Sequence, residues 1–471
     1  MRLSLLLVPV LSCLGKGDLL GIPTVPFKTS SDAALDLTLV HSIIVDSAYA
    51  TARDPDGLTT IPPTLWEFAE TFRDDLAGIG IKTTVTTGLK ATNGAIFCTL
   101  DPDKSAFIDA AGRPTSEGYR LSVGSSGITI SGASPLGVWW ATRTVLQQAV
   151  LNDKKIAQGA GIDAPGWGER GMMLDVARHY YPADFLVEMC SYLSFWKQNV
   201  FHLHLSDHVW SQYLLNTHER AATLYAAFRV DPQDPSIAGL PRPANETYSP
   251  SVMENLQRKC ALRGVTIVPE LESPGHSIAT TDWKPEIALG DFSMLNLSNP
   301  ETLPTVKSYW KAVLPLFHSK VVHIGADEYD SNFIDLYTGF VNAMHDYIKQ
   351  ISGKAVRIWG TFPPSRSTKK VSKDVSVQHW QIGQDNALFD FINNGYNVLN
   401  SDDYFYLDVK YSDGGVYPVQ LDISRVFNGA PGGGPFAPNI FDHANATNNP
   451  PRDNPNILGH LAVLWNDWGQ K

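Results

Sequence analysis

Two rhythms of apolar and polar residues divide the chain. From about Ile22 to Gln148, short β-rich runs alternate with helical ones: LTLVHSIIVD, TLWEFAETFRDDL, TTVTT, AIFCTLD, GYRLSVGSSGITISG and a last helix around LGVWWATRTVLQQAV. In YRLSV-GSSG-ITISG the period-two alternation flanks a Gly/Ser turn, which predicts a hairpin. This half reads as a small α+β domain over residues 22–165, closed by the turn-rich Asp163-Ala-Pro-Gly-Trp-Gly.

Beyond residue 165 the rhythm changes to short apolar strands with polar C-terminal ends, spaced widely enough for helices between them. They are GMMLDVAR (171–178), NVFHLHLSD (199–207), GVTIVPELE (264–272), VVHIGADE (321–328), AVRIWG (355–360), VSVQHW (375–380), NVLNSDDY (397–404) and HLAVLWND (460–467). Such a series predicts an α/β fold, a (β/α)8 TIM barrel over 166–471, with its chemistry at the C-terminal rim where the runs end in Asp, Glu, His or Trp. The 203–263 interval, rich in proline, reads as an elaborated loop over that rim, with a disordered insertion as the alternative. A complete barrel adds a closing helix, and only four residues follow Asp467, so the final helix is expected to be missing and the barrel poorly stable.

The extreme N-terminus breaks both rhythms. Arg2 precedes an apolar run from Leu3 to about Leu14, the length of a signal peptide and too short to span a bilayer, so residues 1–18 read as a leader and the protein as secreted. The sequons at Asn245, Asn296 and Asn445 suit that route. With Cys13 in the leader, Cys98, Cys190 and Cys260 can form one intramolecular disulfide at most. Hydrophobic residues at 43% permit a full core, and a net charge of -11 without a basic stripe argues against a nucleic-acid partner. No other run reaches membrane length.

The candidate chemistry lies at the end of the fourth barrel strand, where Asp327 and Glu328 offer adjacent carboxylates, one able to hold a proton while the other stays ionised. Gly325 and Ala326 before them leave room for a substrate to approach the backbone. His202 and His204 alternate with Phe201, Leu203 and Leu205 and so point into the barrel; with Asp207 they suggest a zinc site, but no third and fourth ligand has a recognisable spacing.

The segments ERGMMLDVARHYYP, NVFHLHLSDHVW, IVPELESPGHS, VHIGADEY, RIWG, VQHW, YFYLDVKY and VLWND, in that order, resemble glycoside hydrolase family 20, the β-N-acetylhexosaminidases. The resemblance runs from about residue 30 to the C-terminus. It implies a retaining, substrate-assisted exo-hydrolase acting on N-acetylhexosamine-containing glycans or chito-oligosaccharides, with no cofactor or metal. By matching, Glu328 is the acid/base, Asp327 orients the acetamido N–H, and Tyr406 donates to the acetamido oxygen. Trp359, Trp380 and Trp465 enclose the acetyl methyl, while Arg170, Asp408 and Asp467 grip the outer hydroxyls. Asp207, Glu272 and His276 sit behind Glu328. The sequence departs from the family in Ala326 for Gly, in Ser206-Asp207-His208, where two acids often follow the serine, in Glu272 for Asp, and in Asp467 for Glu. The shorter Asp467 leaves room for a substituent, so a lacto-N-biosidase-like, disaccharide-releasing enzyme is one alternative. A secreted sugar-binding protein with impaired turnover is another.

Overall fold

A computed structural model of the chain describes residues 19–209, 217–366, 368–381, 391–408 and 418–466. The expected leader and Asp467 lie outside the described residues. No described helix is long and apolar enough to cross a membrane.

The first unit is a seven-stranded sheet carrying two helices. Its strands are β1 (Phe27–Asp36), β2 (Ser42–Asp46), β3 (Thr84–Gly88), β4 (Ala95–Leu100), β5 (Tyr119–Val123), β6 (Gly127–Gly132) and β7 (Lys155–Asp163), in the order β1-β7-β5-β6-β4-β2-β3. The expected hairpin is β5–β6, paired in antiparallel register from Tyr119↔Gly132 to Val123↔Ile128. Helix α1 (Leu65–Gly78) opens on a capping box in which Thr64 and Glu67 satisfy each other's backbone N–H groups. Helix α2 (Pro135–Leu151) is capped by Ser134 with Pro135 in its first turn, and nearly every residue on it is buried. A helix buried on every face must be covered on both sides. One side of α2 meets the sheet; on the other, the Trp139 indole donates to Ser194 Oγ and to the Arg263 carbonyl of the second unit.

The second unit is a closed barrel of eight parallel strands: β8 (Glu169–Asp175), β9 (Val200–His204), β10 (Thr266–Glu270), β11 (Val321–His323), β12 (Ala355–Trp359), β13 (Ser376–His379), β14 (Val398–Asn400) and β15 (Ile457–Trp465). Each pairs with the next, and β15 closes on β8. All eight coincide with the apolar runs of the sequence. Helices α3 (Ala183–Phe195), α4 (Pro250–Ala261), α5 (Thr302–Val313) and α6 (Ile334–Ser352) follow the first four strands. The 205–249 segment is a packed insertion in its described part: Ser206–Asp207 pairs with Ala227–Phe228, and Arg229 is buried against the carbonyls of Val176 and Ala177.

Alternation in β9 and β10 sorts the two faces. Phe201, Leu203, Ile267 and Leu271 join the helical shell, while Val200 and Val268 fill the lower interior with Leu399 and Leu461. Above them the interior turns polar, with His202, His204, Glu270 and His323 all buried. That polar layer supports the rim.

The disulfide left open by the sequence is Cys190–Cys260, which joins α3 to α4, and Cys98 is a buried free thiol. The bridge spans 70 residues. Replacing both cysteines by Ser is expected to lower stability by about 2–4 kcal/mol in urea unfolding, with native secondary structure retained. An unchanged midpoint would show that the bridge does not constrain the unfolded chain.

Candidate active site

The rim segment after β11 is held in an unusual backbone conformation. Gly325, Ala326 and Glu328 take φ values of +72°, +72° and +47°, and His276 on the neighbouring loop takes +50°. For residues with a Cβ such geometry costs about 1–3 kcal/mol each and persists only where surrounding contacts enforce it. Here the Ala326 carbonyl accepts hydrogen bonds from the Tyr337 hydroxyl (2.7 Å) and Thr361 Oγ1 (2.9 Å). Gly325 has a further reason to lack a side chain, since a Cβ there would lie 1.7 Å from Glu272 Oε2. The turn buries most of the Asp327 side chain, 14% exposed, and leaves that of Glu328 47% exposed, so Glu328 faces solvent.

A hydrogen-bonded chain runs from Glu328 into the barrel. His276 Nε2 lies 3.3 Å from Glu328 Oε2 and 3.8 Å from Asp327 Oδ2, and its Nδ1 lies 2.9 Å from Asp207 Oδ1. Asp207 also accepts from His204 Nε2 (2.7 Å), from an Arg178 guanidinium nitrogen (2.7 Å) and from the His208 backbone N–H (2.6 Å). Burial opposes a charge on His276, but Asp207 and Asp327 outweigh it and hold its pKa well above the usual histidine value. The His276 hydrogen bond in turn holds the Glu328 carboxyl below its usual range, ahead of a smaller opposing effect of burial. The proton of this pair therefore rests on His276 in the unliganded site.

Glu272 and Asp327 behave in the opposite way. Burial, followed by the charges of Asp327 and Glu270, pushes Glu272 well above the usual carboxylate range; burial lifts Asp327 to about 6. Neither Glu272 oxygen nor Asp327 Oδ1 has a hydrogen-bond partner among the described residues. Burial beside these charges favours the neutral, protonated form of Glu272.

On the neighbouring strands stands an aromatic cluster, tied to this turn where the Trp359 backbone N–H donates to the Gly325 carbonyl (2.8 Å). Trp359 and Tyr406, with Met173 and Val463, form one cluster against which Trp380 and Trp465 pack. Trp359 and Trp465 lie 5.8 Å apart between ring centroids, and Tyr406 meets Trp465 nearly edge-on at 6.1 Å. The Trp380 indole donates to the Gly360 carbonyl (2.6 Å), and Trp359 donates to Glu270 Oε1 (2.5 Å). Four aromatic residues packed together at the rim present an apolar surface of the kind that can hold a methyl group.

Family models match on both units: Glycosyl hydrolase family 20, catalytic domain, over residues 167–471, and Glycosyl hydrolase family 20, domain 2, over residues 55–161. The chain belongs to glycosyl hydrolase family 20. It is 30% identical over 318 residues to a β-N-acetylhexosaminidase of Cellulomonas fimi, covering 63% of this chain and 60% of that protein. It is 25% identical over 344 residues to a lacto-N-biosidase of Bifidobacterium bifidum, covering 67% of this chain and 28% of that one. The chain thus spans less than two thirds of either relative. In fold it superposes on a Bacteroides fragilis β-N-acetylhexosaminidase with TM-score 0.70 at 20% identity, over 96% of this chain and 86% of that one. A Streptomyces plicatus β-hexosaminidase gives TM-score 0.70 at 21% identity, over 95% and 85%.

Within this family 20 rim the structure brings together Asp327, Glu328, Tyr406, Trp359, Trp380, Trp465, Asp207, Glu272 and His276. Asp408 pairs through its backbone with Trp465, and its side chain lies outside the described residues, as does all of Asp467. Arg170 is a correction. It stands at the start of β8, at the opposite end of the barrel from the rim, where its guanidinium pairs with Glu117 (2.7 Å) and donates to the Trp167 and Lys197 carbonyls. The arginine at the rim is Arg178, bound to Asp175 and Asp207 with its guanidinium carbon 5.4 Å from the Trp465 ring centroid. Strand polarity was the available signal: in ERGMMLDVAR only the second arginine follows the strand. Glu270 was also missed, although its alternation with Val268 and Glu272 placed it inside.

The zinc reading on His202, His204 and Asp207 fails on donor chemistry, since both His204 nitrogens face carboxylates, Glu270 (2.6 Å) and Asp207 (2.7 Å). The trio His202, Glu270 and His323 lies within metal-binding reach. However, His323 Nδ1 already accepts the Gly325 N–H (3.0 Å), and Glu270 is committed to Trp359 and His204.

The Asp327 carboxyl gives a signed stability prediction. Its pKa of about 6 in the folded protein lies above the unfolded value, so its contribution is fully present below about pH 4 and is lost as pH rises through 6. Asp327→Asn is therefore expected to raise stability by about 2 kcal/mol near pH 7.5 and to leave it nearly unchanged near pH 4, in denaturant titrations at both pH values. Equal effects at the two would contradict the raised pKa.

Proposed function

We propose that the chain is a retaining exo-β-N-acetylhexosaminidase that releases terminal GlcNAc or GalNAc by substrate-assisted catalysis. The observation that carries this is the pairing of a solvent-facing Glu328, backed by His276 and Asp207, with a buried Asp327 against the aromatic pocket of Trp359, Trp380, Trp465 and Tyr406. In the reaction the acetamido carbonyl oxygen of the terminal sugar attacks its own anomeric carbon. The glycosidic C–O bond breaks and the leaving oxygen takes a proton from Glu328, to which His276 has passed it through their hydrogen bond, so that Glu328 is left as the carboxylate. Asp327 accepts from the acetamido N–H and stabilises the positive oxazolinium-like ring. Water then attacks the anomeric carbon, Glu328 takes its proton, and the ring reopens with net retention. The aromatic walls favour a 2-acetamido group over a 2-hydroxyl, which they would leave unpaired.

A second reading, release of a disaccharide, is supported by the lacto-N-biosidase relative and by the shorter Asp467. Export is likewise proposed, on the apolar leader run, the Cys190–Cys260 bridge that an oxidising compartment allows, and the exposed sequons at Asn245 and Asn445.

Glu328→Gln is expected to reduce turnover of chitobiose by at least about a thousandfold, because an unactivated leaving group needs its proton. Wild-type turnover by this variant would overturn the assignment. A wild-type protein that binds GlcNAc in calorimetry but hydrolyses none of the nitrophenyl glycosides of GlcNAc, GalNAc and lacto-N-biose would instead be a sugar-binding protein.

A further inference from the structure

The buried layer beneath the rim contains a carboxylate that the reaction does not use. Glu270 is fully buried; it is hydrogen-bonded to Trp359 Nε1 (2.5 Å) and His204 Nδ1 (2.6 Å), with His202 Nε2 and His323 Nδ1, the latter accepting from the Gly325 N–H, each 3.0 Å away. His204 is equally committed, with Glu270 on Nδ1 and Asp207 on Nε2, and its ring stands edge-on to Trp465 at 5.2 Å. A histidine with carboxylates on both nitrogens satisfies both only as the imidazolium.

We propose that Glu270 and His204 are positioning residues that link the acetyl-binding wall to the acid/base group through one continuous chain: Trp359, Glu270, His204, Asp207, His276, Glu328. Glu270 fixes the Trp359 indole directly and fixes the ring that braces Trp465 through His204. The same imidazolium places a positive charge against Asp207 and so limits how strongly Asp207 retains the proton on His276. The shape of the acetamido pocket and the proton affinity of the acid/base pair are therefore set together. This inference rests on the substrate-assisted reading for its kinetic consequences, not for its geometry.

Other charges face this chain from every side. Glu272 Oε1 is 3.8 Å from His204 Nδ1, Arg178 binds Asp207 from the end of β8, His208 stacks on His276 at 5.4 Å, and Asp327 faces His276. Arg357 lies below, paired with Glu169. Against that background the balance at His204 is still decided by its two carboxylate partners, which hold its pKa up at about 10 in spite of burial.

The test uses His204→Gln and Glu270→Gln in the full chain, with a nitrophenyl N-acetyl-β-glucosaminide as substrate and a GlcNAc-thiazoline as mimic of the cyclised intermediate. Removing the His204 charge leaves Asp207 and Glu270 less compensated, so His276 holds its proton more tightly. The alkaline limb of the kcat/KM profile is expected to move up by roughly one pH unit. Glu270→Gln is expected to weaken thiazoline binding about tenfold by freeing the Trp359 wall. An active wild type whose alkaline limb and thiazoline affinity survive both changes would overturn the coupling. Imidazole 15N NMR reads the ion pair without turnover: His204 stays doubly protonated at about pH 8 in the wild type and loses a proton in Glu270→Gln. A neutral His204 in the wild type at that pH would sink the inference even if the enzyme proves inactive, whereas inactivity with a protonated His204 counts only against the proposed reaction.

Discussion

The Asp207 carboxylate is buried inside the barrel, and four donors make its charge tolerable there: His204, His276, Arg178 and the His208 backbone. Desolvation of an ion costs several kcal/mol unless hydrogen bonds and opposite charges replace the water. Here they do, and Asp207 stays ionised with its pKa well below the usual carboxylate range. That fixed negative charge keeps His276 protonated, and protonated His276 holds the Glu328 carboxyl below its usual range. The converse holds two residues from Glu270. Glu272 has no hydrogen-bond donor on its carboxyl among the described residues and is pushed toward the neutral acid. One rim thus contains carboxylates of opposite character, decided by which of them a cation reaches.

The scaffold keeps these few donors in register. Ala326, Glu328 and His276 hold left-handed backbone because Tyr337, Thr361 and Asp207 pin the segments that carry them. At the other end of the barrel the small domain closes the first strand: Glu117 binds Arg170, Asn199 and the Trp140 indole, and Lys197 reaches both Asp163 and the Tyr119 hydroxyl. Arg263 and Arg143 share Asp75 across the same seam. The two units therefore meet through partly buried ion pairs, and β8, whose end carries Asp175 and leads to Arg178, is anchored at its start by the small domain.

The barrel was legible because its strands are apolar outward and end in a polar residue or a tryptophan, a pattern that a parallel sheet under helices enforces. The small sheet was less so. Its β1 is a largely exposed edge strand of polar residues, FKTSSDAALD, with no alternation to read, and β7 carries Gly159 and Gly161 among small and polar residues. LTLVHSIIVD reads as one strand but splits, because Asp36 caps a short 3-10 turn over Leu37–Leu39 before β2 begins. At the site, the adjacent acids and the aromatic residues were readable from strand ends. Arg170 was not, since a motif match fixes neighbours in sequence and not the end of the strand on which a side chain stands. Glu270 escaped because a carboxylate inside a barrel declares itself only through partners from β9, β11 and β12.

The central claim is that the substrate's own acetamido oxygen is the nucleophile, with Asp327 and the aromatic pocket arranged around it. The most direct test measures kcat/KM along a series of nitrophenyl glycosides whose N-acetyl methyl carries zero, one, two or three fluorines. Fluorine withdraws electrons from the carbonyl oxygen with little change in size. The account predicts a steep, monotonic fall along the series, by orders of magnitude between acetyl and trifluoroacetyl; a flat series would place the nucleophile on the protein and contradict it.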